Sequence, residues 1–331
     1  IGGVGDSYAE YLTADDYAKR LNEQTGVSVW LGFNYEKESS GYIKITEVHP
    51  GTSAEESGLL AGDIITAVNN TDVIAFEGGY DEAVSLFNCE EGTRVKLYVR
   101  RTDDDGKSDF ITYNVTAQRS EQVTVTGRMI ENIGYIKISS FTDRTESQLK
   151  AKLDELISAG AMGLVFDLRN NKGGNMDMLQ KCLDHIIGAG VVVTAEYKNG
   201  NVENTVVCTE SEEIKMPMSV IVNQNTAGTS ELFAFALADK CGAHTVGKTT
   251  AGKGYLQTAY TCSDGSVVML STAILRTEKS GDFNGVGLKP EFDVTLSSDV
   301  DLNTISDEAA VLTDAQLIKA LEVTVPKDTA E

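Results

Sequence analysis

The sequence is short of basic residues, of histidine and of paired cysteines. It holds 28 Lys and Arg against 50 Asp and Glu, for a net charge of -22, which argues against a surface for nucleic acid or anionic membrane. Its three histidines show no metal-binding spacing, and its five cysteines form no C-x-x-C pair. We therefore expect no metal, no disulfide framework and no cofactor.

Long apolar runs are also missing. No stretch approaches the roughly 18 apolar residues of a membrane-spanning helix, so we expect no span in this chain. A signal peptide is absent too, but the chain begins at Ile1 rather than Met, so the earlier removal of an N-terminal segment, such as a membrane tether, stays open. At 331 residues, of which 41% are hydrophobic, the chain is long enough for two domains or one large one.

Three regions differ in their local patterns. Residues 1–26 read as helical, with Thr13 as the N-cap of the helix. Residues 27–119 hold short β-type runs and two short helical stretches, SAEESG and GYDEAVSLFN. In residues 120–331, apolar strands such as GLVFDLR and SVIV alternate with longer helices, and a short helix at 314–322 closes the chain. We therefore expect a helical segment, a small β-rich domain and an α/β domain with parallel strands.

Two motifs indicate binding sites of other classes. GKTTAGKG, at 247–254, contains the G-x-x-x-x-G-K core of a phosphate-binding loop. Gly254 stands where such a loop needs Ser or Thr, and a strand pattern follows in place of a helix, so nucleotide binding is a remote alternative. DDDG, at 103–106, lies between two alternating strands, where a hairpin turn is favoured over a calcium loop because Arg101 replaces an acidic ligand.

A strand followed by a helix carries the best candidate for a nucleophile site. NQNTAGTSELF, at 223–233, follows the apolar run SVIV and enters a helix, whose N-terminus offers unpaired N–H groups and a positive dipole end. The sequence holds no G-x-S-x-G turn for a Ser-His-Asp triad. If the protein is a hydrolase, Lys253 between two glycines is a candidate base, since burial lowers the pKa of a lysine.

Three segments together resemble the active-site segments of the carboxy-terminal processing peptidases, also called tail-specific proteases. They are DLRNNKGG (167–174), VNQNTAGTSE (222–231) and GKTTAGKGYLQT (247–258). IGGVGDSYAEYLTADDY and GVGLKPEFDV resemble that family's flanking segments. The resemblance implies an α/β fold with a crotonase-like β-α-β superhelical peptidase core, an inserted PDZ domain and a helical N-terminal segment. It also implies an extracytoplasmic location, exported or membrane-tethered.

Residues 27–119 would then be the PDZ domain. WLGF, at 30–33, resembles the loop whose backbone N–H groups capture a C-terminal carboxylate beside an added strand. The resemblance therefore implies that Leu31, Gly32 and Phe33 bind the C-termini of unfolded polypeptides or proteins. A small β-domain without a ligand is the alternative.

In this family a serine, a lysine and a glutamine carry out the hydrolysis of peptide bonds. By position, Lys253 matches the lysine that takes the proton of the serine, and Gln257 matches the glutamine that orients this lysine. The turn Gly173-Gly174 and the backbone amide of Thr229 match the donors of the oxyanion hole. The resemblance thus implies these roles for these residues.

The serine itself is missing, because its position, three residues before Glu231, holds Gly228. Without a side chain this position forms no acyl intermediate. A hydroxyl of Thr226, Thr229 or Ser230 is a poor substitute, since attack demands close and aligned atoms. We predict a serine peptidase by descent that is inactive as it stands, whether Gly228 is natural or introduced. A non-catalytic scaffolding protein that binds C-terminal peptides is the alternative, and the sequence leaves the oligomeric state open.

Overall fold

The computed structural model describes residues 5–103, 106–210, 213–297, 300, 302 and 313–325. Contacts divide the chain into two compact units. One unit combines Ile1–Gly26 with Val123–Glu331, and the other is Val27–Gln122. The smaller unit is therefore an insertion in the sequence of the larger one. No helix in the described part of the chain is both long and apolar enough to cross a membrane.

The N-terminal segment contains a strand before its helix. Strand β1 covers Glu10–Leu12 and helix α1 covers Ala14–Gln24. The Thr13 side chain accepts a hydrogen bond from the backbone N–H of Asp16, so the predicted N-cap is confirmed. The prediction that residues 1–26 are helical was wrong for β1. This strand pairs with residues 267–269 of a distant strand, and such a partner leaves no trace in the local pattern.

The smaller unit is a β-domain around its own apolar core. Its main sheet has the order β3-β4-β5-β7-β8 with β6 on β5, and β2 pairs with β9. Its helices are α2 (Ser53–Ser57), α3 (Gly79–Ser85) and a 3₁₀ turn at Val73–Ala75. Its strands are β2 (Val27–Trp30), β3 (Phe33–Lys37), β4 (Ile43–Val48), β5 (Ile64–Val68), β6 (Thr71–Asp72), β7 (Arg94–Thr102), β8 (Ser108–Thr116) and β9 (Gln118–Glu121).

The predicted pattern of short strands with two helical stretches is confirmed in this unit. Strands β7 and β8 pair from Arg94 with Thr116 to Thr102 with Ser108. The predicted hairpin turn at 103–106 joins them, and two of its residues, 104 and 105, lie outside the described residues.

The larger unit continues with ten strands and four helices in its described part after the insertion. Its helices are α4 (Thr145–Ser158), α5 (Met176–Asp184), α6 (Thr229–Lys240) and α7 (Ala315–Thr324). Its strands are β10 (Val125–Ile130), β11 (Ile133–Ile138), β12 (Gly163–Asp167), β13 (Gly190–Tyr197), β14 (Val202–Cys208), β15 (Met218–Val222), β16 (His244–Gly247), β17 (Tyr255–Thr261), β18 (Val267–Arg276) and β19 (Phe292–Asp293).

One sheet of this unit has the order β10-β11-β12-β15-β16-β19. Its strands from β11 to β19 are parallel, and β10 is antiparallel to β11. All five residues of β12 and of β15 are buried, as expected for parallel strands covered on both faces. Successive side chains of a strand point to opposite faces of the sheet, so helices on both sides cover β12. Val165 shares an apolar cluster with Leu317 of α7, whereas Phe166 packs on Phe233 of α6.

A second, antiparallel sheet has the order β1-β18-β13-β14, with β17 also paired to β18. The strands β17 and β18 and the four helices agree with the sequence pattern. The hairpin of β13 and β14 is a feature that the sequence reading did not include. The sheet matters for the site because β17 carries Gln257 and begins two residues after Lys253.

Candidate active site

Three neighbouring parallel strands end at one edge of the large sheet. Strand β12 ends at Asp167, β15 at Val222 and β16 at Gly247. Asp167 pairs with Ile221, and Val222 pairs with Gly247. The three segments singled out in the sequence begin at these strand ends, where open α/β sheets bind their ligands. Parallel pairing therefore gathers segments that are distant in sequence.

Gly228 forms the turn between β15 and α6. It directly precedes the first residue of the helix, with φ 61° and ψ -122°. Residues with side chains rarely adopt a positive φ, although the nucleophile of a strand-turn-helix elbow sits on such a strained turn. A Cβ added at Gly228 would meet one neighbouring atom, the carbonyl oxygen of Lys172 at 3.8 Å. The position thus has the backbone of a nucleophile turn and room for a side chain.

Glu231 is the polar centre of the site. Its carboxylate is fully buried and accepts the backbone N–H of Gly228 at 2.9 Å, of Gly252 at 2.7 Å and of Lys253 at 2.8 Å. The hydroxyl of Thr250 donates to it as well. Each carboxylate oxygen receives two donors, so the charge is satisfied by hydrogen bonds. One side chain therefore ties the nucleophile turn to the segment that carries Lys253.

Lys253 follows β16 and is half-buried. Within the described residues, its ammonium group has no hydrogen-bond or ion-pair partner, while its backbone N–H is held by Glu231. The base predicted from the sequence is therefore anchored by its main chain, and its side-chain nitrogen is uncommitted. The structure brings the backbone N–H groups of Lys253 and Gly228 to the same buried carboxylate.

Gln257 lies at an irregular step of the β17–β18 ladder. The register shifts between Leu256 and Gln257, and Gln257 is opposite Ser271; such bulges re-aim side chains beside active sites. The Gln257 side-chain nitrogen donates to the backbone carbonyl of Tyr8 at 2.8 Å. Its direct partner is therefore Tyr8 of the N-terminal segment, and no bond to Lys253 is formed within the described residues.

The predicted oxyanion turn lies against the start of α6. A Cβ added at Gly173 would come within 3.1 Å of the Thr229 nitrogen, so the turn and the helix N-terminus are adjacent. The N–H of Gly173 donates to the side-chain oxygen of Asn171 at 2.9 Å, which commits this donor. The N–H groups of Gly174 and Thr229 make no hydrogen bond in the described part of the chain. These two amides are therefore the available pair for an oxyanion.

The hydroxyls near Gly228 are fully enclosed or already bonded. Thr226 is buried, and its hydroxyl donates to the Leu168 carbonyl at 2.8 Å and accepts from the Asn223 N–H. The hydroxyls of Thr229 and Ser230 are buried and find no partner among the described residues. Burial keeps all three away from an incoming peptide, so none of them occupies the open space beside Gly228.

A buried ion-pair network supports the loop that leads to the oxyanion turn. Arg169 is 1% exposed and contacts Asp167 at 2.6 Å and Asp314, the N-cap of α7, at 2.7 Å. The hydroxyl of Tyr135 donates to Asp167 at 2.7 Å. Burial alone would raise the pKa of Asp167, but the charge and hydrogen bonds of Arg169 outweigh it and hold the pKa below its usual range.

The predicted peptide-binding loop lies in the smaller unit, before the edge strand β3. Leu31 and Phe33 are buried in the core of that unit. The carbonyl of Gly32 accepts the N–H of His49 at 3.0 Å and the hydroxyl of Thr52 at 3.2 Å. Gly32 has φ 95°, and a Cβ there would overlap the Thr52 side chain. The loop is therefore fixed in one conformation beside β3, which pairs on one side only among the described residues and so leaves an edge of the kind that β-strand addition uses.

Sequence reasoning missed two residues that shape the site. Tyr8 contacts Gln257 and also donates its hydroxyl to the carbonyl of Gly252 at 3.1 Å. Asn171 holds the N–H of Gly173. Neither contact has a local signal, although the asparagine lies inside a recognised segment. The described residues contain no cluster of His, Cys, Asp or Glu suited to a metal ion.

Comparison with known families assigns both units. Residues 132–294 match the profile of Peptidase family S41, and residues 44–101 match the profile of the PDZ domain. The chain is 33% identical over 300 residues to the carboxy-terminal processing protease CtpA of Bacillus subtilis (strain 168), covering 89% of this chain and 62% of that protein. It is 30% identical over 308 residues to the chloroplastic carboxyl-terminal-processing peptidase 1 of Arabidopsis thaliana, covering 88% and 60%. The chain thus spans about three fifths of the length of these relatives.

Solved structures share the fold. The photosystem II D1 C-terminal processing protease matches with a TM-score of 0.57 and 24% identity, over 96% of this chain and 84% of that one. A Bacteroides fragilis NCTC 9343 protein described as an S41 protease matches with a TM-score of 0.64 and 16% identity, over 98% and 87%. These matches show that the chain belongs to peptidase family S41 and carries a PDZ domain.

Proposed function

We propose that this chain binds the C-termini of unfolded polypeptides in the manner of a carboxy-terminal processing peptidase and does not cleave them through a serine nucleophile. The observation that carries the proposal is the geometry of Gly228. Its backbone has the form of a nucleophile turn and its Cβ direction is open, yet it offers no atom for attack. The backbone N–H of Lys253, the proposed base, is held by the same carboxylate as the N–H of Gly228.

The chemistry available to a serine at position 228 supports this reading. Lys253 has an uncommitted ammonium group and is tied to the same carboxylate as residue 228. In its neutral form Lys253 would take the hydroxyl proton, and the attacked carbonyl would develop negative charge. We expect the amides of Gly174 and Thr229, which make no hydrogen bond within the described residues, to receive that charge. The site therefore needs one side chain to complete a covalent mechanism.

The smaller unit provides the recognition. The Leu31–Phe33 loop precedes the edge strand β3, and the rings of Tyr35 and Phe87 lie 5.3 Å apart next to Phe33. An extended peptide added to β3 would place its terminal carboxylate at the loop and an apolar side chain near these rings. A C-terminus with an apolar last residue is therefore the proposed ligand.

The extracytoplasmic location implied by the family resemblance stays a prediction.

A pure scaffolding protein is the second candidate, supported by the missing nucleophile. Nucleotide binding is disfavoured by the loop at 247–254, where the buried carboxylate of Glu231 already occupies the N–H groups of Gly252 and Lys253. Strand β17 then follows in place of the helix that a phosphate loop requires. The loop is thus filled by an internal anion.

The test compares the chain as it stands with Gly228→Ser and with Gly228→Ala. An unfolded polypeptide with an apolar C-terminus is incubated with each, and its fragments are followed by mass spectrometry. We expect cleavage by Gly228→Ser alone, and its loss when Lys253→Ala is added. The alanine variant is the matched control, because it carries the same backbone strain without a hydroxyl.

Equal cleavage by the parent and by Gly228→Ser would place the nucleophile elsewhere and overturn the assignment of the site. Binding of the peptide by all three proteins without cleavage by any would favour the scaffolding function. Cleavage that survives Lys253→Ala would remove the lysine from the role of base.

A further inference from the structure

Tyr8 connects the N-terminal segment to two parts of the candidate site. Its backbone carbonyl accepts the side-chain nitrogen of Gln257 at 2.8 Å. Its hydroxyl donates to the carbonyl of Gly252, the residue before Lys253, at 3.1 Å. Its ring lies 6.0 Å from that of Tyr255, the residue between Lys253 and Gln257 that begins β17. One residue thus spans the segment that carries both the proposed base and its orienting glutamine.

Hydrogen-bond chemistry fixes the orientation of the Gln257 side-chain amide. A backbone carbonyl can only accept a hydrogen bond, so the nitrogen of Gln257 must face Tyr8. The oxygen Oε1 then points away from Tyr8, and it accepts no hydrogen bond from the described residues. The ammonium group of Lys253 likewise has no partner there. Gln257 Oε1, an acceptor without a partner among the described residues, and the Lys253 ammonium group, a donor without one, therefore belong to residues four positions apart in one segment.

The segment that carries Tyr8 is itself fastened to the sheet. The carboxylate of Asp6 accepts the backbone N–H of Ser271 at 2.7 Å and its hydroxyl at 2.9 Å, and it also accepts the N–H of Tyr8 at 3.0 Å. Ser271 is the register partner of Gln257. A tyrosine phenol is protonated at neutral pH, and burial, followed by the charge of Glu231, raises the pKa of the Tyr8 phenol further.

We infer that Tyr8 is a positioning residue of this site: its carbonyl orients the Gln257 amide so that Oε1 is presented to Lys253, while its hydroxyl holds the turn before Lys253. This inference rests on the proposed function of Lys253 as a base. Hydrogen bonds in a site without substrate are often long and tighten when the substrate binds. The N-terminal segment is therefore a working part of the site, in addition to its structural role as β1.

A double-mutant cycle tests the inference in the Gly228→Ser background. Gln257→Ala lowers kcat by on the order of 10²-fold, because a base that is misplaced by about 1 Å loses that much. Asp6→Ala, which releases the segment, lowers kcat by about tenfold, and KM is unchanged in both. The cycle is measured in a chain that also carries Tyr8→Phe, so that the contact of the Tyr8 hydroxyl with Gly252 is removed throughout. In that background Asp6 acts through Gln257, and adding Asp6→Ala to Gln257→Ala leaves kcat unchanged.

Effects of Asp6→Ala and Gln257→Ala that multiply in the Tyr8→Phe background would show that Asp6 does not act through Gln257, and would overturn the inference. A higher kcat in Asp6→Ala would overturn it as well, since the segment would then restrain the site. Tyr8→Phe and Tyr11→Phe form a matched pair on the same segment. Tyr11 is 53% exposed, so we expect a lower kcat for Tyr8→Phe and no change for Tyr11→Phe.

Absence of cleavage by Gly228→Ser would contradict the proposed function, and the inference is then tested by amide hydrogen exchange on the native chain. Asp6→Ala should raise the exchange of residues 250–258 by at least about tenfold, because local opening becomes easier. Helix α5 should be unaffected and serves as the internal reference. Unchanged exchange at 250–258 would show that the segment does not hold this turn.

Discussion

The backbone N–H of Lys253 donates to the buried Oε2 oxygen of Glu231 at 2.8 Å, and the N–H of Gly228 shares the same oxygen. This bond joins the helix that starts after the nucleophile position to the segment that carries the proposed base. The relative placement of base and nucleophile position is therefore held by backbone groups. Substitution at residue 228 itself leaves these bonds in place, since they use main-chain atoms.

Glu231→Gln should destabilise the larger unit. The carboxylate accepts four hydrogen bonds, whereas an amide has one oxygen and would turn an N–H₂ group toward backbone donors. We expect the free energy of unfolding to fall by about 2–4 kcal/mol, since buried donors lose their acceptor. Urea denaturation measures the change. Glu155→Gln, which breaks an exposed ion pair with Lys152, is the control and should cost less than about 1 kcal/mol.

Asp167 should contribute to the acid sensitivity of the fold. Its pKa in the folded chain lies below the ordinary 3.8, so its stabilising effect is complete above that value. It is lost as the pH falls through the lower, folded-state pKa. Asp167→Asn should therefore weaken the acid dependence of the unfolding free energy in this range. It should also cost about 3–5 kcal/mol at neutral pH, since Arg169 loses a buried partner.

The measurement is the midpoint of urea denaturation between pH 2 and pH 7 for both proteins. An identical slope with pH in Asp167→Asn would mean that other carboxylates account for the acid sensitivity.

Gly32→Ala should abolish peptide binding by the smaller unit. Its φ of 95° is unfavourable for alanine, and the added Cβ would overlap the Thr52 side chain that holds the loop. Gly62→Ala is the matched control, because Gly62 has φ 91° with no neighbouring atom within 4 Å. The control should lose only about 1–2 kcal/mol from the positive φ and keep its affinity. Fluorescence anisotropy with a labelled C-terminal peptide reads the difference, and equal affinities would contradict the role of the loop.

Thr229→Val should stabilise the protein. The Thr229 hydroxyl is buried without a partner among the described residues, and valine replaces it with a methyl group of the same shape. We expect a gain of about 1 kcal/mol in the free energy of unfolding, because an unsatisfied polar group leaves the interior. Thr226→Val makes the same chemical change where the hydroxyl has two hydrogen bonds, and should lose about 1–3 kcal/mol. Thermal unfolding that ranks the two variants in the opposite order would refute the argument.

The candidate site was predicted from the sequence as a set of positions, and its internal contacts were not. Lys253, Gly173 and Gly228 follow strand ends that the apolar runs predict, so parallel pairing alone brings them together. The Gln257 side chain was expected to orient Lys253. Its direct hydrogen-bond partner is the backbone carbonyl of Tyr8, 249 residues away. The N–H of Gly173 was expected in the oxyanion hole, and the Asn171 side chain occupies it. Which acceptor a side-chain amide or a backbone N–H bonds to depends on which acceptor lies nearby in the folded chain, and the local sequence does not show this.

The sequence by itself determined the β-rich character of residues 27–119, the alternation of strands and helices after them, the start of α1 at its Thr13 cap and the absence of a side chain at residue 228. These features depend on local periodicity, capping and residue identity, which act between near neighbours. Only the tertiary structure decided that residues Glu10–Leu12 form a strand, that Glu231 accepts three donors from residues 250–253 and that Tyr8 reaches Gln257. Each of these contacts joins segments that come together because the whole chain has folded, so no local pattern contains them.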